Sequence, residues 1–152
     1  MKKTWFFTGS SRGMGRIWAE AALKRGDQVA ATARKVESIA DLKERYGDAV
    51  LPLALDVTSA EQAQQAVKRA HSHFGRLDVV INNAGYPLVG TIEEGSEEDI
   101  RALFETNFYG ALRVIKAALP ILRLQGSGHI IGVSSTLDIV AMPIIGYCRF
   151  SD

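Results

Sequence analysis

Thr8-Gly9-Ser10-Ser11-Arg12-Gly13-Met14-Gly15 is the stretch on which the reading of this chain turns. The residues before it, 3–8, form a short run dominated by Trp5, Phe6 and Phe7, and the residues after it, 13–24, carry apolar positions at helical spacing. The pattern predicts a strand entering the glycine-rich turn and a helix leaving it. Glycines lack a Cβ, so such a turn can be tight. Its backbone N–H groups, together with the N-terminus of the following helix, can then approach an anion closely. In a βαβ unit this is the place where the diphosphate of a dinucleotide binds. Gly9, Ser11, Arg12, Gly13, Met14 and Gly15 are therefore the first candidate binding residues, and a side chain at Gly13 or Gly15 is expected to obstruct the ligand's approach.

Working outward, short apolar runs alternate with longer helical patterns along the whole chain. Strands are expected over residues 3–8, 28–33, 50–55, 77–81 and 129–134, each continuous and apolar enough to be buried on both faces. Helices are expected over 13–24, 36–45, 60–74 and 97–124, the last bent at Pro120, which has no N–H to continue the ladder. Ala63, Val67, Ala70 and Phe74 fall on one helical face, as do Phe104, Phe108, Leu112, Ile115, Leu119 and Leu122. Ser59 with Gln62 reads as a capping box, and Ser96 as the cap of the fourth helix. The fold class is α/β: a Rossmann-like, doubly wound parallel sheet with helices on both faces. Residues 136–152 show no clear period. A sheet that stops at its fifth strand is incomplete at the C-terminus, so 1–152 reads as one dinucleotide-binding domain lacking its last helices and strands.

Composition narrows the function classes. Lysine and arginine total 18 against 17 aspartates and glutamates, so no broad positive field argues for nucleic acid or an anionic membrane as partner. No run of about 18 apolar residues could cross a bilayer. The single cysteine, Cys148, cannot form an intrachain disulfide, which fits the cytoplasm better than a secreted scaffold. His71 and His73 are two positions apart on one helix and face different ways, so no metal site is expected.

The end of the second strand bears on which dinucleotide is bound. An NAD site places a carboxylate about 20 residues beyond the glycine turn, on the ribose 2′-OH. Here the chain reads Ala31-Thr32-Ala33-Arg34-Lys35, with no acid. Arg34 and Arg12 can instead face a 2′-phosphate, for which a forked guanidinium is well suited. NADP is expected ahead of NAD.

Further motifs follow. Leu55-Asp56-Val57-Thr58 succeeds the third strand, and Asn82-Asn83-Ala84-Gly85 the fourth, where small residues suit a backbone that passes close to a ligand. Thr106, Asn107 and Gly110 place three weak helix formers within five positions. Gly128-His129-Ile130-Ile131-Gly132-Val133-Ser134-Ser135 reads as the fifth strand and its end. With the spacing T-G-x-x-x-G-x-G, these stretches resemble the short-chain dehydrogenase/reductase family from Thr4 to Gly146. The resemblance implies that Asp56 contacts the adenine with Val57 packed beside it. It implies that Asn83, Ala84 and Gly85 steady the sheet and line the cofactor ribose, and that Asn107 holds a helix distortion and a proton-relay water. Ser135, with Ser134 as its neighbour, would polarise a substrate carbonyl.

The resemblance breaks at the end. The family completes its site with Y-x-x-x-K, whereas here Tyr147 is followed four positions later by Ser151. Counting from Ser135 puts Cys148 where the tyrosine belongs, so Tyr147 and Cys148 both remain in play, with Tyr147 the choice. A phenol with a pKa of about 10 needs nearby positive charge to exchange protons near neutral pH. Arg149 is badly spaced to supply it. A truncated frame, a frameshift and a fragment of a longer chain all account for this ending. The resemblance implies an oxidoreductase moving hydride between NADP(H) and a small carbonyl or secondary alcohol, through Asn107, Ser135 and Tyr147; the alternative is an inactive NADP-binding fragment. A full-length chain would be expected to assemble as a homo-oligomer.

Overall fold

The computed structural model describes residues 2–136 and 146–147. Its elements run β1 (Thr4–Phe7), α1 (Gly13–Lys24), β2 (Gln28–Ala33), a 3-10 turn (Val36–Ile39), α2 (Ala40–Tyr46), β3 (Val50–Ala54), α3 (Ala60–Phe74) and β4 (Val79–Asn82). They continue with α4 (Glu97–Phe104), a π-helical turn (Glu105–Gly110), α5 (Ala111–Gln125) and β5 (His129–Gly132). The strands form one parallel sheet in the order β3-β2-β1-β4-β5.

Successive strand residues point to opposite faces, and both faces are apolar here, which is why the strands read as continuous hydrophobic runs. Phe6, Ala30, Leu53 and Val80 face the layer that contains α3 and α5, joined there by Val67, Val114 and Leu122. Phe7, Val29, Ala31, Val79 and Ile81 face the other layer, with Ala19, Ala22 and Leu23 of α1 and Leu42 of α2. Helices on both faces of a parallel sheet make the doubly wound arrangement expected from the sequence.

Four details differ from expectation. Residues 36–45 are not one helix: the chain begins with a 3-10 turn and becomes α-helical only from Ala40. The long fourth helix is divided at Glu105–Gly110, well before Pro120, which lies inside α5. Of the expected stripe of large residues only Leu122 is buried. Leu103, Gly110, Val114, Ala118 and Leu122 are buried, and Phe108 is exposed. α5 packs against the alanine-rich face of α3, formed by Ala63, Ala66, Val67 and Ala70, and so narrow a seam favours small side chains over a row of phenylalanines. The capping box is half made: Ser59 Oγ accepts from Gln62 N at 3.2 Å, but Gln62 Oε1 accepts from Asp56 N at 2.8 Å, reaching past Ser59 to the preceding turn.

Among the described residues no helix is long and apolar enough to cross a membrane.

Candidate functional site

The strand order reverses direction between β1 and β4. β2 and β3 are laid down on one side of β1, and β4 and β5 on the other. In open parallel sheets a ligand crevice is expected outside the carboxyl ends of the strands at such a switch point, here the ends of β1 and β4. The glycine-rich turn follows β1 there, and Asn83-Ala84-Gly85 follows β4.

The two loops are fastened together. Thr8 is buried, and its hydroxyl accepts from the backbone N–H of both Asn83 and Ala84 at 2.9 Å while lying 3.3 Å from the Ile81 carbonyl. Asn83 Nδ2 donates in return to the carbonyls of Thr8 and Gly9, each at 3.1 Å. This crossed pair explains two of the glycines. A Cβ on Gly9, at φ +70°, would stand 3.1 Å from Ala84 Cα and Asn83 Nδ2. A Cβ on Gly15 would fall on the Gly9 carbonyl and the Asn83 amide. Gly15 thus serves the protein's own packing at this junction. Gly13 is the opposite case: at φ +60° it has nothing within 4 Å of a would-be Cβ, so it faces open space.

Around this turn the charges are divided. Arg16 is committed to the protein. Its guanidinium binds Asp41 of α2 and lies 2.8 Å from Glu20, and these bonds, Asp41's first, hold its pKa above the ordinary arginine value. Arg12, the N-cap residue of α1, and Arg34, just past β2, are exposed, and their side chains make no hydrogen bond or salt bridge among the described residues. Asp56 lies close enough to Arg34 to feel its charge. The Thr58 backbone N–H at 2.9 Å, then the Thr58 hydroxyl at 2.8 Å and the Arg34 charge, hold the Asp56 carboxyl below its usual range against partial desolvation. Ser11 and Met14 are exposed on the same turn.

Asn107 sits in the π turn and reaches across to the loop after β4. Its Oδ1 accepts from Tyr86 N and its Nδ2 donates to Tyr86 O, both at 3.1 Å. Gly85 lies directly beneath, where a Cβ would approach Asn107 Oδ1 to 3.1 Å. The structure thus brings Gly9, Gly15, Asn83, Ala84, Gly85 and Asn107 into one contiguous assembly. Ser135 stands three residues beyond β5, which is anchored through Val133 N on the Asn82 carbonyl at 2.9 Å. Tyr147 is buried, its hydroxyl donates to the Ile92 carbonyl, and a Cβ on Gly95 would fall on its ring. Cys148, Arg149 and Ser151 lie outside the described residues.

The family profile of short chain dehydrogenases matches residues 3–148. The chain belongs to the short-chain dehydrogenase family. The chain is 54% identical over 144 residues to oxidoreductase BOA17 of Botryotinia fuckeliana, a match covering 94% of this chain and 53% of that protein. The chain therefore spans about half the length of that curated relative. It superimposes on a short-chain dehydrogenase from Streptomyces avermitilis with a TM-score of 0.94 at 37% identity, covering 99% of this chain and 56% of that one. A solved structure of ElxO with NADP bound gives 0.93 at 30% identity, covering 99% and 62%. A short-chain dehydrogenase/reductase from Burkholderia phymatum in complex with NAD gives 0.91 at 26%, covering 99% and 55%.

Two residues of this family member carry structural roles that the sequence pattern does not reveal. Thr8 was visible only as the first letter of the turn, and its buried hydroxyl ties the two crevice loops together. The one available signal was a polar residue closing an apolar strand. Gly110 drew notice only as a weak helix former, yet it is buried against Val57, a contact between residues 53 positions apart in sequence that no local pattern reveals.

Proposed function

We propose that this chain is the nucleotide-binding portion of an NADP(H)-dependent oxidoreductase acting on a small carbonyl or secondary alcohol, and that it works in the cytoplasm. The observation that carries the reading is the start of α1. That helix begins at the switch point with no side-chain cap and no acidic residue in its first turn, has open space at Gly13, and the turns after β1 and β2 carry the exposed arginines Arg12 and Arg34. Unsatisfied N–H groups and the positive end of the helix dipole favour a diphosphate there. Arg12 at the start of α1 and Arg34 just past β2, with no carboxylate at the end of β2, favour a phosphorylated ribose.

The residues present fit the cofactor. The glycine turn would hold its diphosphate, Arg12 and Arg34 its 2′-phosphate, Asp56 and Val57 its adenine, and Asn83, Ala84 and Gly85 its ribose. When bound, the nicotinamide supplies or accepts hydride at C4. The chain's own part is to orient: Asn107 secures the loop that lines the ribose, and Ser135 would hold the substrate oxygen by a hydrogen bond.

A second reading, an NADP-binding chain without turnover, is favoured by Tyr147. Its hydroxyl is engaged by the Ile92 carbonyl, and Ser151 stands where the family places the lysine that would lower the phenol's pKa. Calorimetry with NADPH and NADH, followed by absorbance assays on a panel of ketones and aldehydes, tests both. Arg34→Ala is expected to weaken NADPH by about tenfold or more while leaving NADH unchanged, the loss of a charge-assisted hydrogen bond to a phosphate. No binding of either nucleotide by folded protein would end the proposal; binding with no turnover selects the second reading.

A further inference from the structure

Gly110 closes the π turn, and its backbone is ordinary right-handed helix at φ −60° and ψ −50°. Nothing in its own conformation calls for glycine, and in such a position alanine normally stabilises a helix. The reason for glycine lies across the contact. A Cβ on Gly110 would stand 2.7 Å from Val57 Cγ2, 3.0 Å from Val57 Cβ and 3.5 Å from the Val57 carbonyl. Both residues are buried, so neither can yield into solvent.

Each end of this contact is itself held. Val57 belongs to a loop pinned by Thr58 on Asp56 and by Gln62 Oε1 on the Asp56 N–H. One turn before Gly110, Asn107 clasps both backbone polar groups of Tyr86. A π turn carries one more residue per hydrogen-bonded ring than an α turn, and here that wider turn is closed by the residue lying on Val57. A rigid turn seated on Val57 at one residue and gripping Tyr86 at another makes the two loops parts of one body.

We propose that Gly110 is a positioning residue: by resting on Val57 it couples the Asp56–Val57 loop to the hold of Asn107 on Tyr86, so that the adenine end and the ribose end of the crevice are set together. The assignment of those two ends rests on the function proposed above, whereas the coupling rests on the contacts alone. Filling the gap at Gly110 would push the π turn off Val57 and carry Asn107 away from Tyr86.

The test is hydrogen exchange at the Tyr86 amide, read by NMR, with NADPH titration by calorimetry, for the wild type, Gly110→Ala, Val57→Ala and the double variant. Gly110→Ala is expected to speed Tyr86 exchange about tenfold and to weaken NADPH by a similar factor, and the double variant to bring exchange back within about threefold of wild type, because Val57→Ala reopens the space. Unchanged Tyr86 exchange in Gly110→Ala overturns the proposal, as does a double variant no better than Gly110→Ala. Should Gly110→Ala fail to fold, Val57→Leu presses on the same contact from the other side; faster Tyr86 exchange supports the coupling and unchanged exchange refutes it. A wild type that binds no NADPH sinks the cofactor reading, and exchange, which needs no nucleotide, still decides the coupling.

Discussion

Three helices of this chain begin at exposed turns, and they begin differently. At α3, Ser59 Oγ accepts from Gln62 N, with Glu61 in the first turn. At α4, Ser96 Oγ accepts from Asp99 N at 3.0 Å, and Glu97, Glu98 and Asp99 all lie in the first turn. Both helices neutralise their own N-terminal N–H groups and dipole with groups from nearby sequence. α1 has neither device. Arginine stands at its N-cap, its first turn holds no acid, and Gly13 leaves its approach open. The difference teaches that a helix start can be left electrostatically incomplete where the topology turns it toward a crevice, and this contrast is what carries the nucleotide reading.

Substitutions that erase the contrast test it. The largest effect is expected from Gly15→Ala, which sets a methyl group against the Gly9 carbonyl and the Asn83 amide and so breaks the junction that shapes the crevice. Thermal denaturation should show a loss of about 1–3 kcal/mol, the usual cost of overpacking. NADPH binding by calorimetry should fall beyond detection. A variant that bound normally would show that the junction is not needed to form the site.

Giving α1 the acid that α3 and α4 possess sharpens the comparison. Met14 is exposed in the first turn, so Met14→Glu places a carboxylate there without disturbing packing. The helix should gain about 0.3–1 kcal/mol from its dipole. Affinity for NADPH should meanwhile fall about tenfold, since the carboxylate would compete with and repel a diphosphate. Stability and affinity moving in opposite directions is the signature to look for. Equal NADPH affinity in the two proteins would deny α1 its role.

The smallest effect belongs to the control. Ser96→Ala removes the cap of α4 and should cost about 1 kcal/mol in chemical denaturation, with no change in NADPH affinity because α4 already carries three acids in its first turn. A loss of binding in Ser96→Ala would show that any weakened helix start lowers affinity, and the contrast would lose its meaning.

The apolar runs of β1 to β5 and the glycines between β1 and α1 were legible because a buried parallel strand and a tight strand-to-helix turn each leave a local signature. Thr106, Asn107 and Gly110 marked a weak point in helix propensity, and the family resemblance implied a helix distortion at Asn107. Its π-helical form and its division of the long helix were not legible. The stripe from Phe104 to Leu122 misled for a related reason. Periodicity reports which side of a helix is apolar, while the face that is buried depends on how closely the neighbouring helix approaches, and α3 offers only alanines and Val67 along that seam.

By itself the sequence determined the order of strands and helices, the position of the glycine-rich turn and the absence of an acid after β2, since all of these are properties of residues adjacent in the chain. Only the tertiary structure decided that Thr8 and Asn83 lock two loops together, that Asn107 grips Tyr86, that Gly110 rests on Val57, and that Arg16 is spent on Asp41 while Arg12 and Arg34 are left exposed. Each of these joins residues brought together by the sheet, and a hydrogen bond or a steric limit exists only once both partners have been placed in space.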